Sequence, residues 1–162
     1  MTTEDQLNQQ QDFDIDKYIP FQIVLTEMLM YRVGKPNQAK DVAAVEALSQ
    51  GESRILTFIY SGKASSPSDL IEHLYIDKAL VTRNVSSLVK KGLLAVEQDS
   101  QDRRRKNLAV TAKGEKAALA LVDRMQDFER HLDSAISAEE KQTLMSTLSK
   151  LNDLCHSYKI KD

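Results

Sequence analysis

Apolar side chains follow the helical period over most of this chain and alternate with polar ones in a single short stretch. The first apolar series, from about Asp14 to Val33, predicts a long helix that ends before Gly34-Lys35-Pro36. Later helices are predicted behind residues whose side chains can accept hydrogen bonds from the first free N–H groups of a helix. These capping residues are Ser49, Ser66, Asp77, Thr111 and Ser137.

The alternating stretch lies directly after the helix that Asp77 caps. Gly92 is predicted to end that helix in the left-handed conformation that glycine adopts easily. Two short antiparallel strands are then predicted, with alternating apolar positions at Leu94, Val96, Leu108 and Val110. The fold class is therefore mainly α with a small two-stranded β wing: a winged helix-turn-helix with N- and C-terminal dimerisation helices.

The same pattern divides the chain into four parts. Residues 1–11 are polar and are expected to form a flexible tail, and residues 12–48 are expected to form an N-terminal dimerisation helix and a linker. Residues 49–111 are predicted to form the winged helix-turn-helix lobe, which we expect to bind DNA. Residues 112–162 are predicted to form C-terminal dimerisation helices.

Charge is unevenly distributed along the chain. The net charge is −2, yet residues 78–116 contain ten basic and four acidic side chains. This segment therefore carries about +6 and the rest of the chain about −8. A negative total does not exclude nucleic acid, because the charge on one face decides binding. Tryptophan is absent and aromatics make up 6% of the chain, which argues against a protein that stacks single-stranded bases.

Several classes of protein are disfavoured by what the sequence lacks. Its one cysteine cannot form an internal disulfide, which suits a reducing cytoplasm. A signal peptide pattern and an apolar run of about 20 residues are both missing, so a soluble cytoplasmic protein without a membrane segment is expected. His73, His131 and His156 are too scattered for a metal site, and no phosphate-binding glycine loop occurs. An enzyme, a cofactor and a bound metal are therefore not expected.

The helix capped by Asp77 has the features of a DNA recognition helix. An inward apolar stripe is expected from Val81, Val85 and Leu88. The outward arc predicted to contact DNA consists of Lys78, Ala79, Thr82, Arg83 and Ser86. The first turns of such a helix enter the major groove, where Arg83 can donate to both acceptors of a guanine. The alternative is that Arg83 merely pairs with a neighbouring carboxylate.

Basic residues also crowd the predicted wing. Its tip contains Arg103, Arg104, Arg105 and Lys106, which are expected to face phosphates or a narrow minor groove. Arg103 and Arg104 are the residues expected to insert, whereas the alternative is a solvated charge run. Ser66 and Ser68 begin the helix before the recognition helix. Each is expected to offer a hydroxyl or an N–H group to the DNA backbone.

The order of elements, with Asp102-Arg103-Arg104 and Val110-Thr111-Ala112-Lys113-Gly114 around the wing, resembles the MarR family of bacterial transcription regulators. The resemblance extends over about residues 14–158. The sequence departs from the family pattern at Gln101, where arginine is usual, and at Val110, where leucine is usual. The resemblance implies a homodimer that represses transcription from a pseudo-palindromic operator. It also implies that a small molecule, a metal or an oxidant modulates the affinity for double-stranded DNA.

Two further sets of residues follow from these expectations. The terminal helices carry more apolar surface than a small lobe can cover, so a homodimer is favoured over a monomer with a larger core. Its expected interface contains Tyr18, Phe21, Leu25, Leu144, Leu148, Leu151 and Tyr158. From the resemblance alone, a phenolic or carboxylate effector is expected where the dimerisation helices meet the lobe. Its expected site contains Tyr31, Arg32, Arg54, Phe58 and His73.

Two alternative functions remain open at this stage. The first is a winged-helix module that binds another protein and no DNA; the basic wing and the polar recognition face argue against it. The second is a redox-responsive regulator that uses Cys155, beside His156 on the last helix. A redox sensor needs an exposed, reactive thiol. The simpler interpretation of Cys155 is a small apolar residue packed in a helix interface.

Overall fold

The structure is a computed structural model that describes residues 13–33, 45, 47–98 and 106–158, with the backbone alone described for Val33, Gln98 and Lys106. The helices are α1 (Ile19–Val33), α2 (Gln50–Tyr60), α3 (Pro67–Leu74), α4 (Lys78–Lys90), α5 (Ala112–Ala135) and α6 (Ala138–Ser157). The strands β1 (Leu94–Gln98) and β2 (Lys106–Val110) pair antiparallel between α4 and α5. The predicted fold class, a mainly helical winged helix-turn-helix, is confirmed.

The helices α2 to α6 begin where the capping residues predicted. Ser49, Ser66 and Ser137 each form a reciprocal capping box with the acidic residue three positions later. Asp77 and Thr111 accept from the N–H group three positions on and so open α4 and α5. Gly92 follows α4 with a φ of +71°, as predicted.

The first helix is shorter than predicted. The prediction began at about Asp14, but Ile15–Lys17 forms a separate 3-10 turn and α1 begins at Ile19. Pro20 explains the break, because proline has no N–H group to bond the carbonyl four residues earlier. That carbonyl, of Asp16, instead accepts from the side-chain amide of Gln22 at 2.9 Å.

The lobe contains the hydrophobic core. Its most deeply buried side chains come from α2, α3, α4 and the base of the wing: Ile55, Leu56, Leu70, Val81, Leu88, Leu93 and Leu94. The first part of α5 closes this core with Ala117, Ala118 and Leu121. Val45 and Leu48 are also buried in it, although the sequence placed them in the linker. The core of the lobe therefore begins earlier than residue 49.

The end of α4 is joined to the start of α5 by close backbone packing. Thr111 Oγ1 donates to the carbonyl of Gly92 at 2.7 Å, and Lys113 Nζ donates to the carbonyl of Lys91 at 2.8 Å. A Cβ on Gly114 would lie 2.0 Å from the carbonyl oxygen of Leu93. Glycine is therefore required at 114, and this contact gives a structural reason for the Thr-x-x-Gly pattern that begins at Thr111.

We call α1 and α6 the arm helices. From Ile19 to Arg32, α1 has no fully buried side chain, and neither has α6. Met28 and Met145 are 57% and 62% exposed in the single chain. The arm helices thus take little part in the core of the lobe.

Candidate nucleic-acid interface

The two faces of α4 differ as the sequence predicted. Val81, Val85 and Leu88 are buried in the lobe, whereas Leu80 is half-buried. The residues predicted to contact DNA are all exposed on the opposite side: Lys78, Ala79, Thr82, Arg83 and Ser86. Their spacing of three and four residues places them along one side of the helix.

Polar groups on this outward side are available to a ligand. Within the described residues Arg83 forms no ion pair. This argues against the alternative that Arg83 merely pairs with a neighbouring carboxylate. Thr82 Oγ1 donates to the carbonyl of Lys78 at 2.8 Å, so its lone pairs remain able to accept from a base. Ala79 and Ser86 are small enough to let the helix backbone approach a groove.

A buried polar residue on α4 was missed by the sequence analysis. Asn84 is 8% exposed, and its Nδ2 has no hydrogen-bond partner within the described part of the chain. A Cβ added at Gly51 would lie 2.6 Å from that atom, so α4 lies directly against the first turn of α2. The positions 81, 84, 85 and 88 form a helical stripe, and this spacing was the available signal.

An ion pair between the half-buried Lys91 and the buried Glu52 fixes the other end of α4. Lys91 Nζ donates to Glu52 at 2.7 Å and to the carbonyl of Ala47 at 2.8 Å. Burial alone would raise the pKa of Glu52, but hydrogen bonds from Lys91, Ser87 and Ser49 together lower it to about 2. Lys91 therefore holds the recognition helix on α2 and is not a free positive charge for DNA.

At the N-terminus of α3, a carboxylate of the same helix already accepts hydrogen bonds from the backbone N–H groups. Asp69 accepts from the N–H groups of Ser65 and Ser66, at 2.8 and 2.9 Å, and from the Ser65 hydroxyl. The hydrogen bond from the Ser65 backbone is the largest cause of a lowered pKa at Asp69. The N–H group of Ser66 is thus already engaged, whereas its hydroxyl accepts from the Asp69 N–H group and can still donate, so the DNA contact of Ser66 stays a prediction. Ser68 is exposed, whereas Ser66 is half-buried.

The base of the wing is described, and its tip is not. Leu94 pairs with Val110 and Val96 with Leu108, and the N–H group of Leu108 also donates to the carbonyl of Ser65 at 2.7 Å. This bond holds the wing beside the start of α3. The predicted contacts Arg103, Arg104 and Arg105 lie outside the described residues, as does the side chain of Lys106.

The predicted effector residues lie on three helices: Tyr31 and Arg32 on α1, Arg54 and Phe58 on α2, and His73 on α3. The rings of Phe58 and His73 lie 6.1 Å apart. Arg54 Nη2 donates to Glu27 of α1 at 2.8 Å, so this guanidinium already has a carboxylate partner. These residues lie on three separate helices, and nothing in the sequence indicated that Arg54 pairs with Glu27.

One arginine near this region was missed. Arg124 of α5 is half-buried, and burial lowers its pKa, while the nearby Tyr31 acts in the opposite direction. Within the described residues no acid forms a salt bridge with Arg124. A single sequence shows only that it lies on α5 and gives no sign that it is close to α1.

The predicted interface residues of the arm helices are exposed or half-buried in the single chain. The exposed members are Tyr18, Phe21, Leu25, Leu144 and Tyr158, whereas Leu148 and Leu151 are half-buried. Cys155, the free thiol of α6, is exposed as well. Groups of three or more potential metal ligands are absent from the described segments. None of the helices in those segments has the length and apolar content of a membrane span.

Comparison with known sequences agrees with this architecture. A model of the MarR family matches residues 48–105, which include α2, α3, α4 and β1. An uncharacterised HTH-type transcriptional regulator, YdgJ of Bacillus subtilis, is 27% identical over 110 residues. The match covers 68% of this chain and 67% of that protein. These matches bear out the resemblance to the MarR family that the sequence predicted.

Comparison with solved structures extends the likeness to most of the chain. The Staphylococcus aureus MepR–DNA complex has a TM-score of 0.70 at 20% identity, covering 84% of this chain and 95% of MepR. BpsR of Bordetella bronchiseptica, whose DNA binding is regulated by 6-hydroxynicotinic acid, has a TM-score of 0.68 at 18% identity. That match covers 86% of this chain and 99% of BpsR. At these identities the structures establish a common fold.

Proposed function

We propose that this chain is a MarR-type, sequence-specific regulator that binds double-stranded DNA and responds to a small-molecule ligand, as its match to the family model and its relatives support. The observation that carries this proposal is the outward face of α4. There, exposed basic and small side chains lie above an apolar stripe that is buried in the lobe. MepR in its complex with DNA has the same fold and supports the proposal.

The chemistry of α4 suits readout in the major groove. Arg83 is exposed and unpaired within the described residues, so its guanidinium is free to donate to the O6 and N7 atoms of a guanine. Lys78 and Lys90 are exposed at the two ends of the helix and can contact phosphates, which position the protein without reading sequence. Arg103 and Arg104 of the wing are proposed to add minor-groove contacts.

We propose that the regulator acts as a homodimer. The α1 helix carries apolar residues almost all round, a pattern that belongs to helices buried on every side. In the single chain Ile19, Val24 and Met28 are each more than half exposed. A twofold mate would bury this surface and hold the two α4 helices about 34 Å apart, one DNA turn, on an inverted repeat. Repression follows if such a site overlaps a promoter.

The ligand site is proposed at the junction of α1 with the lobe. BpsR responds to an aromatic acid, and a carboxylate of this kind would stabilise the half-buried charge of Arg124 beside Tyr31. Arg54 is a weaker partner for it, since Glu27 already accepts from that guanidinium. A panel of aromatic acids should raise the melting temperature of the wild type but not of Arg124→Gln. Arg130→Gln, on an exposed arginine of the same helix, is the matched control.

Selection of binding sites from random duplex DNA, followed by salt titration, tests the main proposal. A regulator should select an inverted repeat and bind it about 10³-fold or more tightly than unselected DNA. Its affinity should fall steeply with salt, because phosphate contacts release counterions. Equal, weak binding of selected and random DNA would contradict the proposal and favour a winged-helix module that binds protein.

A further inference from the structure

Tyr75 ends α3 in an unusual backbone conformation. Its φ of +52° and ψ of 34° are left-handed, and it is the only non-glycine residue with positive φ in the described part of the chain. Glycine or asparagine would adopt this conformation with less strain. The side chain is 73% exposed, so packing in the lobe does not explain a bulky residue here. A tyrosine at this position therefore needs a reason other than ending the helix.

The tip of the side chain supplies that reason. The hydroxyl of Tyr75 lies 3.0 Å from Nε2 of His156, and the two rings meet edge to face with centroids 4.9 Å apart. His156 lies in the last turn of α6. Hydrogen bonding and ring packing thus act at one point, where the arm helix reaches the turn between α3 and α4.

We propose that Tyr75 and His156 are positioning residues that transmit the placement of α6 to the recognition helix. Only Ile76 separates Tyr75 from Asp77, the N-cap of α4, and Leu80 N–H donates to the Asp77 carboxylate at 2.8 Å. A displacement of the Tyr75 ring by α6 therefore acts on the first turn of α4, where Lys78 and Ala79 lie. The inference rests on the proposed function, in which α4 reads DNA.

The Tyr75→Asn variant separates this role from simple helix capping. Asparagine suits the left-handed conformation better than tyrosine, so the variant should be at least as thermally stable as the wild type. The proposal nevertheless expects about 3- to 10-fold weaker binding to the selected DNA. It also expects a smaller preference for that DNA over versions with one base pair inserted between the half-sites. Wild-type affinity together with an unchanged spacing preference would overturn the proposal.

A double-mutant cycle tests whether the two side chains act together. Tyr75→Phe removes only the hydroxyl and His156→Gln removes the ring, and the double variant should bind DNA no more weakly than His156→Gln. The reciprocal exchange, Tyr75→His with His156→Tyr, should restore part of the lost affinity. Additive losses, or no rescue by the exchange, would show that the pair carries no coupling.

Hydrogen exchange in the free protein tests the contact without DNA. Amides of residues 75–77 should exchange about 3- to 10-fold faster in His156→Gln, because the turn loses its support from α6. His131→Gln should leave them unchanged, since His131 is exposed and its Nδ1 bonds only to the Asp127 carbonyl of its own helix. If the amides of residues 75–77 exchange at the wild-type rate in His156→Gln, the contact does not support the turn and the proposal is overturned. Failure of the wild type to select any DNA counts instead against the proposed function.

Discussion

The lobe and the arm helices are both rich in apolar side chains but place them differently. Leu56 of α2 is completely buried, whereas Leu144 of α6 and Met28 of α1 are more than half exposed in the single chain. The lobe therefore buries its apolar side chains within its own chain, whereas the arm helices leave many of theirs exposed. Exposed apolar surface is typical of a site of association, as the proposed homodimer requires. We interpret the lobe as the part that folds on itself and the arms as the part that needs a second copy.

The largest expected effect comes from shortening one leucine in each region. Leu56→Ala should lower the free energy of unfolding by about 2–5 kcal/mol, because it removes buried methyl groups and leaves a cavity. Leu144→Ala should instead raise the dimer dissociation constant, with little change in the stability of the lobe. Denaturant unfolding at several protein concentrations measures both effects. A loss at Leu144→Ala that is large and independent of concentration would mean that α6 packs within its own chain.

The next effect concerns the carboxylate of Glu52, which is buried in the lobe. The pKa of Glu52 is lowered from 4.5 to about 2, so its ionised form stabilises the folded state above pH 4.5. This contribution, roughly 3 kcal/mol at full strength, should disappear as the pH falls from 4.5 to 2. Glu52→Gln should be less stable at pH 7 and should depend less on pH within this window. Urea unfolding from pH 7 to pH 2.5 provides the measurement.

Glu140 is the matched control for this pH dependence. It forms the same kind of capping box at the start of α6, and hydrogen bonds from Ser137 lower its pKa, but it is fully exposed. Glu140→Gln should therefore lose only a small part of the wild-type pH dependence, because solvent screens an exposed carboxylate. If Glu52→Gln and Glu140→Gln lost pH dependence equally, burial of the Glu52 carboxylate would not explain the effect.

A smaller effect distinguishes base reading from phosphate binding on the lobe. Arg83→Ala should reduce discrimination between the preferred base and the others by about 1–3 kcal/mol. Arg104→Ala should weaken all sequences more evenly and reduce the salt slope by about one. Lys116→Gln, in an exposed lysine of α5, is the control for general loss of charge. Binding assays on single-base variants of the selected site would reveal whether the roles of the two arginines are reversed.

The contrast between lobe and arms also explains how far the sequence alone could be interpreted. Caps and turns are local, so Ser49, Asp77, Thr111 and Gly92 predicted the helix boundaries of the lobe correctly. The start of α1 differs from the prediction because apolar periodicity carries no information about the N–H group that Pro20 lacks. Periodicity in α1 also cannot distinguish a core within the chain from a partner's surface.

The candidate site was predictable to a similar extent. The outward arc of α4 follows from helical spacing, and the structure leaves all of it exposed. The pairing of Arg54 with Glu27 depends on side chains that meet only in three dimensions, whereas the carboxylate that engages Ser66 belongs to Asp69, three residues later in the same capping box. Asn84 lies within the predicted apolar stripe, but its burial depends on the close approach of Gly51. Spacing therefore predicted which face of α4 is exposed, and packing decided which polar groups nearby remain free to bind a ligand.

The smallest expected effect is at a bridge between the two regions. Glu27 of α1 accepts from both Gln50 and Arg54 of α2, and the side chains of the ion pair are 45% and 49% exposed. Exposed pairs of this kind contribute at most about 1 kcal/mol and weaken with salt. A cycle of Glu27→Gln and Arg54→Gln should therefore give a coupling energy below that value, measured by unfolding in low and high salt. A larger energy that persists in high salt would mean that the lobe itself fixes α1, and the arms would then be less dependent on a second copy than their exposed surface indicates.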